Sequence, residues 1–180
     1  VKMTYQYYDN EKWSDQPGLI WTNVPLYKDN EIFLSMGYDY PAKMLRVNTD
    51  ASGFEELYTD TIFDNHHHGL IELDGYIYGS NWENNRKGNW LCKKWETGEI
   101  GYDETWNTKG ALVYADGLFY IYEEQRGNVS LVNPDPAGFE VISSFKIEKG
   151  AGPHWAHPYL FDGKLFLRHG DVLMVYNLRG

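Results

Sequence analysis

The sequence contains little cysteine and has no excess of positive charge. One cysteine, Cys92, occurs among 180 residues, so the chain forms no internal disulfide, and in the apolar run around it we expect a small buried hydrophobe. Lys and Arg number 16 against 26 Asp and Glu, a formal net charge of −10. This charge repels polyanions and excludes the basic surface that nucleic acids bind. We therefore expect no nucleic-acid partner.

Long apolar runs and the common catalytic motifs are also absent. No run approaches the roughly 20 apolar residues of a membrane-spanning helix, so the sequence predicts no membrane span. It contains no glycine-rich nucleotide loop, no Gly-x-Ser-x-Gly elbow and no metalloprotease His-Glu pair. Because these motifs are absent, the sequence assigns no catalytic residue.

The sequence does contain a repeat built on tight turns. An Asp-Gly or Asp-Asn pair lies between two alternating apolar runs, which is typical of a β-hairpin. The pair recurs at intervals of 42 to 46 residues, a period typical of stacked β-units. The four pairs are Asp29-Asn30, Asp74-Gly75, Asp116-Gly117 and Asp162-Gly163.

Each repeat unit is predicted to contain four antiparallel strands. A third apolar run follows each hairpin, and in the first three units a turn at Gly53, Gly98 or Gly138 leads to a fourth. Four strands per period describe a propeller blade. We predict an all-β β-propeller with four four-stranded blades, either a closed four-blade ring or half of an eight-bladed propeller. The predicted blades are 21–64, 65–107, 108–149 and 150–180, the last with three strands.

Residues 1–20 are predicted to form an N-terminal strand and a linker. The strand over residues 2–8 either closes the last blade or is the outer strand of an earlier blade. An open arc of four blades would leave two apolar faces in water, each of several hundred Å². We therefore expect the arc to close on itself, to form a homodimer or to join a missing half-propeller.

The segment 90–100, Trp-Leu-Cys-Lys-Lys-Trp-Glu-Thr-Gly-Glu-Ile, resembles the blade motif of the pyrroloquinoline-quinone-like (PQQ-like) propellers. Segments 47–53 and 132–138 show the motif more weakly, and 162–176 resembles the closing blade of bacterial members. The resemblance implies the C-terminal half of a quinoprotein-type β-propeller. The family includes quinoprotein dehydrogenases and an outer-membrane assembly scaffold. Together with an aromatic content of 17%, the resemblance favours a periplasmic or extracellular location.

The chain departs from the dehydrogenase branch of that family. Lys94 and Tyr102 occupy positions where family blades often carry aspartate and tryptophan, and the adjacent cysteines of the alcohol-oxidising members have no counterpart. The resemblance therefore favours a platform that binds a ligand or a protein. One alternative is a PQQ-dependent quinoprotein oxidoreductase, of the alcohol or sugar dehydrogenase type, with PQQ and Ca²⁺. Another is a polysaccharide lyase assisted by a divalent transition metal.

Residues directly before the innermost strand of each blade are expected to reach one rim of the central channel. Imidazoles there suit transition metals, and tryptophans suit sugar rings or flat molecules. A small molecule, a carbohydrate or a protein would therefore be the partner. The alternative is that these histidines pack among aromatic rings and bind only backbone carbonyls. The candidate rim residues are Trp21, His66, His67, His68, Lys109, His154, Trp155 and His157.

Four of these histidines are the predicted metal ligands. His66 and His68 share one side of an extended segment, and either would join His154 or His157 on one ion. A four-bladed ring would bring them together across its axis, whereas an eight-bladed ring would separate them by a quarter turn. Trp82 is a further candidate for stacking. Glu123, Glu124, Asp9 and Glu96 would form a paired-carboxylate site only if the fold brought two of them within about 5 to 10 Å.

Overall fold

The computed structural model describes residues 3–7, 20 and 22–179. These residues form strands joined by turns and loops, and none of them belongs to a helix that is long and apolar enough to cross a membrane. The strands are β1 (Leu26–Lys28), β2 (Glu31–Leu34), β3 (Ala42–Val47), β4 (Phe54–Asp60), β5 (Leu70–Leu73), β6 (Tyr76–Ser80), β7 (Trp90–Lys94), β8 (Ile100–Glu104), β9 (Gly110–Ala115), β10 (Leu118–Glu123), β11 (Asn128–Asp135), β12 (Gly138–Lys146), β13 (Tyr159–Phe161), β14 (Lys164–His169) and β15 (Val172–Asn177).

The strands form four antiparallel sheets in chain order, each strand pairing with its sequence neighbours. Blade 1 is β1 to β4, blade 2 is β5 to β8, blade 3 is β9 to β12, and blade 4 is β13 to β15. This architecture confirms the predicted all-β propeller, with three strands in its last described blade. The strands of each blade lie within the corresponding predicted unit, while the unit boundaries themselves stay a prediction.

The first hairpin of every blade closes through the recurrent turn. In blade 2 the strands pair from Leu73 opposite Tyr76, and the two residues between them, Asp74 and Gly75, have φ angles of 51° and 85°. Positive φ at both central positions defines a type I′ turn, whose twist matches that of the flanking strands. The corresponding pairs of the other blades also have positive φ at both positions. The turn chemistry therefore fixes the register of each hairpin.

The core consists of three apolar clusters, one between each pair of consecutive blades. Side chains that alternate along β6 contribute to two of these clusters, because Ile77 packs towards blade 1 and Tyr78 towards blade 3. On β10, Phe119 packs towards blade 2 and Tyr122 towards blade 4. Each such side chain is almost fully buried, which contributes about 1.5–3 kcal/mol per large apolar group. The middle blades are thus buried on both faces, as a propeller requires.

The inner strands of successive blades contact one another around the hub. Strand β1 contacts β5, β5 contacts β9, and β9 contacts β13. Because each hairpin turn lies at one end of its blade, the start of the first strand and the end of the second strand meet at the opposite end. The loops at that opposite end therefore gather near the hub, where they build the candidate site.

Residues 3–7 lie against blade 1. The Tyr5 hydroxyl donates a hydrogen bond to Glu56 and its ring packs edge-on against Phe54, while the Tyr7 hydroxyl donates to the carbonyl of Pro41. The described part of this segment forms no strand. Its predicted role in closing the last blade, or in an earlier blade, stays a prediction that also depends on residues outside the described ranges.

Candidate functional site

A cavity of about 580 Å³ lies where the hub loops meet. Its wall includes five of the residues that the sequence predicts at the rim: His66, His67, Lys109, Trp155 and His157. They come from the loops that precede β5, β9 and β13. Residues that precede the first strands of blades 2, 3 and 4 thus line one cavity.

Three other predicted rim residues lie elsewhere or outside the description. His68 is buried behind the cavity wall, where its ring binds Glu124. His154 is buried beside Tyr122 and is not among the described residues that line the cavity. Trp21 lies outside the described residues.

Ile20 and Thr22, which precede β1, also line the cavity. The loops that follow the second strands of blades 1, 2 and 3 supply the other lining residues. Tyr38, Trp82, Asn85 and Glu124 line the cavity from these loops. Trp82 and Glu124 both stand eight residues after the turn aspartate of their blade. Sequence reasoning considered these two residues singly, and counting forward as well as backward from each turn would have placed them at this rim.

A buried ionic network forms one wall of the cavity. The Lys109 ammonium lies 2.6 Å from Glu124 Oε1, and His68 Nε2 lies 2.8 Å from Glu124 Oε2. All three side chains are at most 2% exposed. Burial alone would raise the pKa of the Glu124 carboxyl, but the hydrogen bonds and charges of His68 and Lys109 outweigh it and lower that pKa to about 2. The carboxylate is therefore ionised and paired.

Lys109 reaches this position because the next residue has no side chain. A Cβ at Gly110 would lie 2.2 Å from the carbonyl oxygen of Tyr122 on the neighbouring strand. Close approach of the two strands therefore requires glycine there. The Lys109 ammonium also donates to the carbonyl oxygen of Asn84 at 2.7 Å. These contacts hold the ammonium within the wall.

His66 and His67 present neutral imidazoles to the cavity. Their Nδ1 atoms are 3.0 Å apart, so one nitrogen donates to the other. Burial, followed by the neighbouring imidazole, lowers the pKa of each to about 4. The carbonyl of His67 accepts a hydrogen bond from His157 Nε2 at 2.7 Å, which joins the loops of blades 2 and 4. At neutral pH each ring offers one donor and one acceptor nitrogen.

Aromatic rings flank these imidazoles. The Tyr38 ring lies 4.4 Å from that of His66 and 5.5 Å from that of Trp82, measured between centroids. The Trp155 ring lies 5.6 Å from that of His67 and is 57% exposed at the mouth. The cavity thus combines aromatic faces with neutral polar groups.

The predicted metal ligands lie in different surroundings. His154 stacks on His169 with ring centroids 3.6 Å apart, its Nδ1 is 2.6 Å from the Tyr122 hydroxyl, and its backbone N–H donates to the Glu124 carbonyl. His66 faces the cavity instead, and His68 binds the Glu124 carboxylate. The predicted set of His66, His68, His154 and His157 stays a prediction, and the geometry favours another combination, described below.

The described lining residues do not fit PQQ with Ca²⁺. PQQ is a planar tricarboxylate, and its binding requires several positive charges. The lysine of this lining is already paired with Glu124, and His66 and His67 are held neutral. Ca²⁺ prefers oxygen ligands, whereas this wall is rich in imidazole. We derive no chemistry through PQQ at this cavity.

No protein-family model matches the sequence, and no curated protein matches it. Among solved structures, the chain is similar to BamB from Moraxella catarrhalis, with 15% identity and a TM-score of 0.58 over 85% of this chain and 41% of that one. It is also similar to the computationally designed Ika8 protein, with 11% identity and a TM-score of 0.60 over 87% of this chain and 45% of that one. The chain therefore spans less than half the length of either structure. At these identities the comparisons show the fold alone, which is a β-propeller.

Proposed function

We propose that this chain is part of an extracytoplasmic PQQ-like β-propeller whose hub cavity binds a small, uncharged carbohydrate. The observation that carries the proposal is the combination of aromatic rings and neutral hydrogen-bonding groups in one cavity. Its volume of about 580 Å³ lies within the range of about 300–1,000 Å³ that is usual for small-molecule sites. The extracytoplasmic location and the PQQ-like family are part of this proposal and rest on the resemblance of the blades.

The charges of the wall favour an uncharged ligand. Lys109 and Glu124 neutralise each other at 2.6 Å, and the two imidazoles of His66 and His67 carry no charge at neutral pH. A charged organic ligand would therefore lose its hydration without meeting an unpaired opposite charge. A sugar loses less, because its hydroxyls require only donors and acceptors.

Three buried polar atoms of the wall have no hydrogen-bond partner. They are His66 Nε2, His67 Nε2 and Trp82 Nε1. Buried polar atoms are almost always satisfied in folded proteins, so unsatisfied ones at a cavity favour a polar ligand. Ring hydroxyls can supply the missing partners, while the Tyr38, Trp82 and Trp155 rings offer faces for the C–H side of a sugar ring.

The cavity offers weaker support for catalysis. Acid and base groups usually have a pKa near the working pH, whereas the Glu124 carboxyl has a lowered pKa of about 2 and His66 and His67 have pKa values of about 4. These groups hold fixed protonation states at neutral pH. Binding without turnover is therefore preferred over the quinoprotein oxidoreductase and lyase alternatives.

Saturation-transfer difference NMR with a panel of neutral mono- and oligosaccharides tests the proposal. We expect saturable binding that Trp155→Ala weakens about tenfold or more, since aromatic contacts contribute about 0.5–1.5 kcal/mol beyond the area they bury. Trp106→Ala is the matched control, because Trp106 packs between blades 2 and 3. Absence of saturable binding by any neutral sugar, or an equal loss in both variants, would contradict the proposal.

The free face of blade 4 favours a second role, in contact with a protein. Register places Tyr159, Phe166 and Val175 on one face of the sheet. On the same face, Phe161 and Leu173 are 64% and 62% exposed. Lys164 and Arg168 lie on the same face, opposite Phe161 and Leu173. Exposed large apolar side chains together with cationic ones are characteristic of an interaction surface.

We propose that a second copy of the chain covers this face. Two copies related by a two-fold axis would each pack blade 4 against the β1–β2 side of the partner's blade 1, where Tyr27 is 66% exposed, and would close a ring. Tyr5 lies over the β3–β4 side of the same face, where it contacts Glu56, and would border this interface. The match to 41% of the BamB propeller agrees with half of such a ring. Native mass spectrometry should show a dimer for the wild type and for the control Ile142→Lys, and a monomer for Phe161→Lys. A monomeric wild type would overturn this assembly.

A further inference from the structure

Three metal-binding side chains converge on the inner wall of the cavity. One ligand atom from each of His67, His68 and Glu124 lies within 4.8 Å of the others. His67 and His68 belong to the loop before β5, and Glu124 follows β10. This group shares only His68 with the four metal ligands that the sequence predicts.

The separations fit one transition-metal ion. Glu124 Oε2 lies 2.8 Å from His68 Nε2 and 3.9 Å from His67 Nε2. Zinc bonds to nitrogen and oxygen are about 2.0–2.2 Å long, so tetrahedral ligand atoms lie about 3.3 Å apart. These two separations lie on either side of that value, and the third pair of ligand atoms lies within 4.8 Å. The His67 ring would therefore move towards Glu124 and His68 when an ion binds.

The surroundings hold the ligand groups as outer-shell partners do in metal sites. Lys109 occupies Glu124 Oε1, so Oε2 is the oxygen directed towards the imidazoles. His66 Nδ1 contacts His67 Nδ1 at 3.0 Å, which fixes the ring that presents Nε2. Hydrogen bonds of this kind orient metal ligands.

The wall also contains atoms that an ion would satisfy. His67 Nε2 is buried with no hydrogen-bond partner, although it faces the Glu124 carboxylate. His68, which is 1% exposed, has a second buried nitrogen without a partner, Nδ1. Its Nε2 is directed at the carboxylate. A metal ion between these groups would give His67 Nε2 a partner and would place the buried carboxylate against a cation.

We propose that His67 Nε2, His68 Nε2 and Glu124 Oε2 bind a divalent transition metal, with zinc the ion best suited to two imidazoles and one carboxylate. Lys109 already balances the charge of Glu124, so the bound ion would retain its positive charge. Its open coordination position would face the cavity and take an oxygen atom. This proposal does not depend on the carbohydrate ligand.

Zinc titration of the metal-depleted full chain by isothermal calorimetry tests the site. We expect one zinc per chain for the wild type. Removal of an outer-shell partner costs about 10- to 100-fold in affinity, so loss of a ligand in His67→Ala should cost about 100-fold or more. Cobalt should give the visible absorption of a tetrahedral site in the wild type and lose it in His67→Ala.

His154→Gln is the matched control, because it changes a buried histidine of the predicted metal set that binds Tyr122 instead. It should keep the zinc affinity within about threefold. Circular dichroism of each variant checks folding, and His67→Gln provides a second ligand variant of similar size. Zinc binding far below one equivalent, or affinity that persists in both His67 variants, would overturn the metal site. Sugar binding measured on metal-free protein reports separately on the carbohydrate proposal.

Discussion

Neutralising one member of the buried Lys109–Glu124 pair should strongly destabilise the protein. The two charged groups are 2.6 Å apart and 1% and 2% exposed. Lys109→Met would leave the Glu124 carboxylate buried with His68 and Gln125 as its remaining side-chain partners. Glu124→Gln would leave the ammonium with two backbone carbonyls, those of Asn84 and Lys87.

The expected cost follows from the penalty of an unpaired buried charge. Removal of one partner from a buried ion pair typically costs about 3–5 kcal/mol, whereas replacing both partners is often close to neutral. We therefore expect each single substitution to lower the free energy of unfolding by about 3 kcal/mol or more. The double variant should cost no more than one single variant, which corresponds to a coupling energy of about 3 kcal/mol or more.

Urea denaturation in the presence of a chelator measures the four free energies of this cycle. The exposed pair Asp162–Arg179, with side chains 57% and 70% exposed, provides a control cycle whose coupling should stay below about 1 kcal/mol. Additive effects of Lys109→Met and Glu124→Gln, or single losses below about 1 kcal/mol, would refute the assignment of a desolvated ion pair at the cavity wall.

Gly110→Ala should destabilise the protein by more than about 2 kcal/mol in urea denaturation, because its Cβ would meet a carbonyl oxygen at 2.2 Å. The control Gly138→Ala, with nothing within 4 Å, should be neutral or stabilising by up to about 1 kcal/mol. His66 and His67 have folded pKa values of about 4, below the unfolded value of about 6.5, so their contribution to stability is present above pH 6.5 and is lost as the pH falls through 4. The His66→Gln/His67→Gln variant should show a shallower acid loss in denaturation measured across this window. Cys92 is fully buried and its thiol pKa is raised by burial to about 11, so a thiol reagent at neutral pH should label it in urea and not in buffer.

Equal free energies of unfolding for the Gly110→Ala and Gly138→Ala variants would contradict the steric argument, because they would mean that the strand carrying Tyr122 moves away without loss of stability. The pH comparison is made as a difference between wild type and variant, because the Asp64 carboxyl, with its pKa raised by burial to about 7, acts in the opposite direction. Its native state binds more protons between pH 4 and 7, so its contribution falls as the pH rises. Parallel pH profiles would contradict the histidine assignment, and rapid native labelling would contradict the burial of Cys92.

The fold was predictable because its signals are local. Asp-Gly turns require positive φ at both positions, and Asp74 and Gly75 adopt it; alternation on either side gives each strand two apolar faces, as Ile77 and Tyr78 show. These constraints act within a dozen residues of one turn. The spacing of the turns and their residue types are therefore sufficient to predict propeller blades without any long-range contact.

The candidate site was predictable in position and only partly in composition. Residues that precede inner strands do reach the cavity, as His67 and Trp155 show. The partner of His68 depends on packing between blades 2 and 3, where Glu124 approaches from 56 positions away. The partner of His154 likewise depends on packing between blades, because the contact between blades 3 and 4 places its ring against the Tyr122 hydroxyl. Such pairings have no signature in the order of residues along the chain.

The histidine side-chain NMR spectrum tests the central claim, that the hub cavity is the binding site, most directly. A long-range ¹H–¹⁵N spectrum at neutral pH, recorded during titration with the best-binding neutral sugar, reports on each imidazole separately. We expect neutral rings for His66 and His67 and ligand-induced shifts confined to the cavity histidines, with the signals of His154 and His169 unchanged. Shifts at His154 and His169 alone, or no imidazole shift at saturating sugar, would contradict that claim.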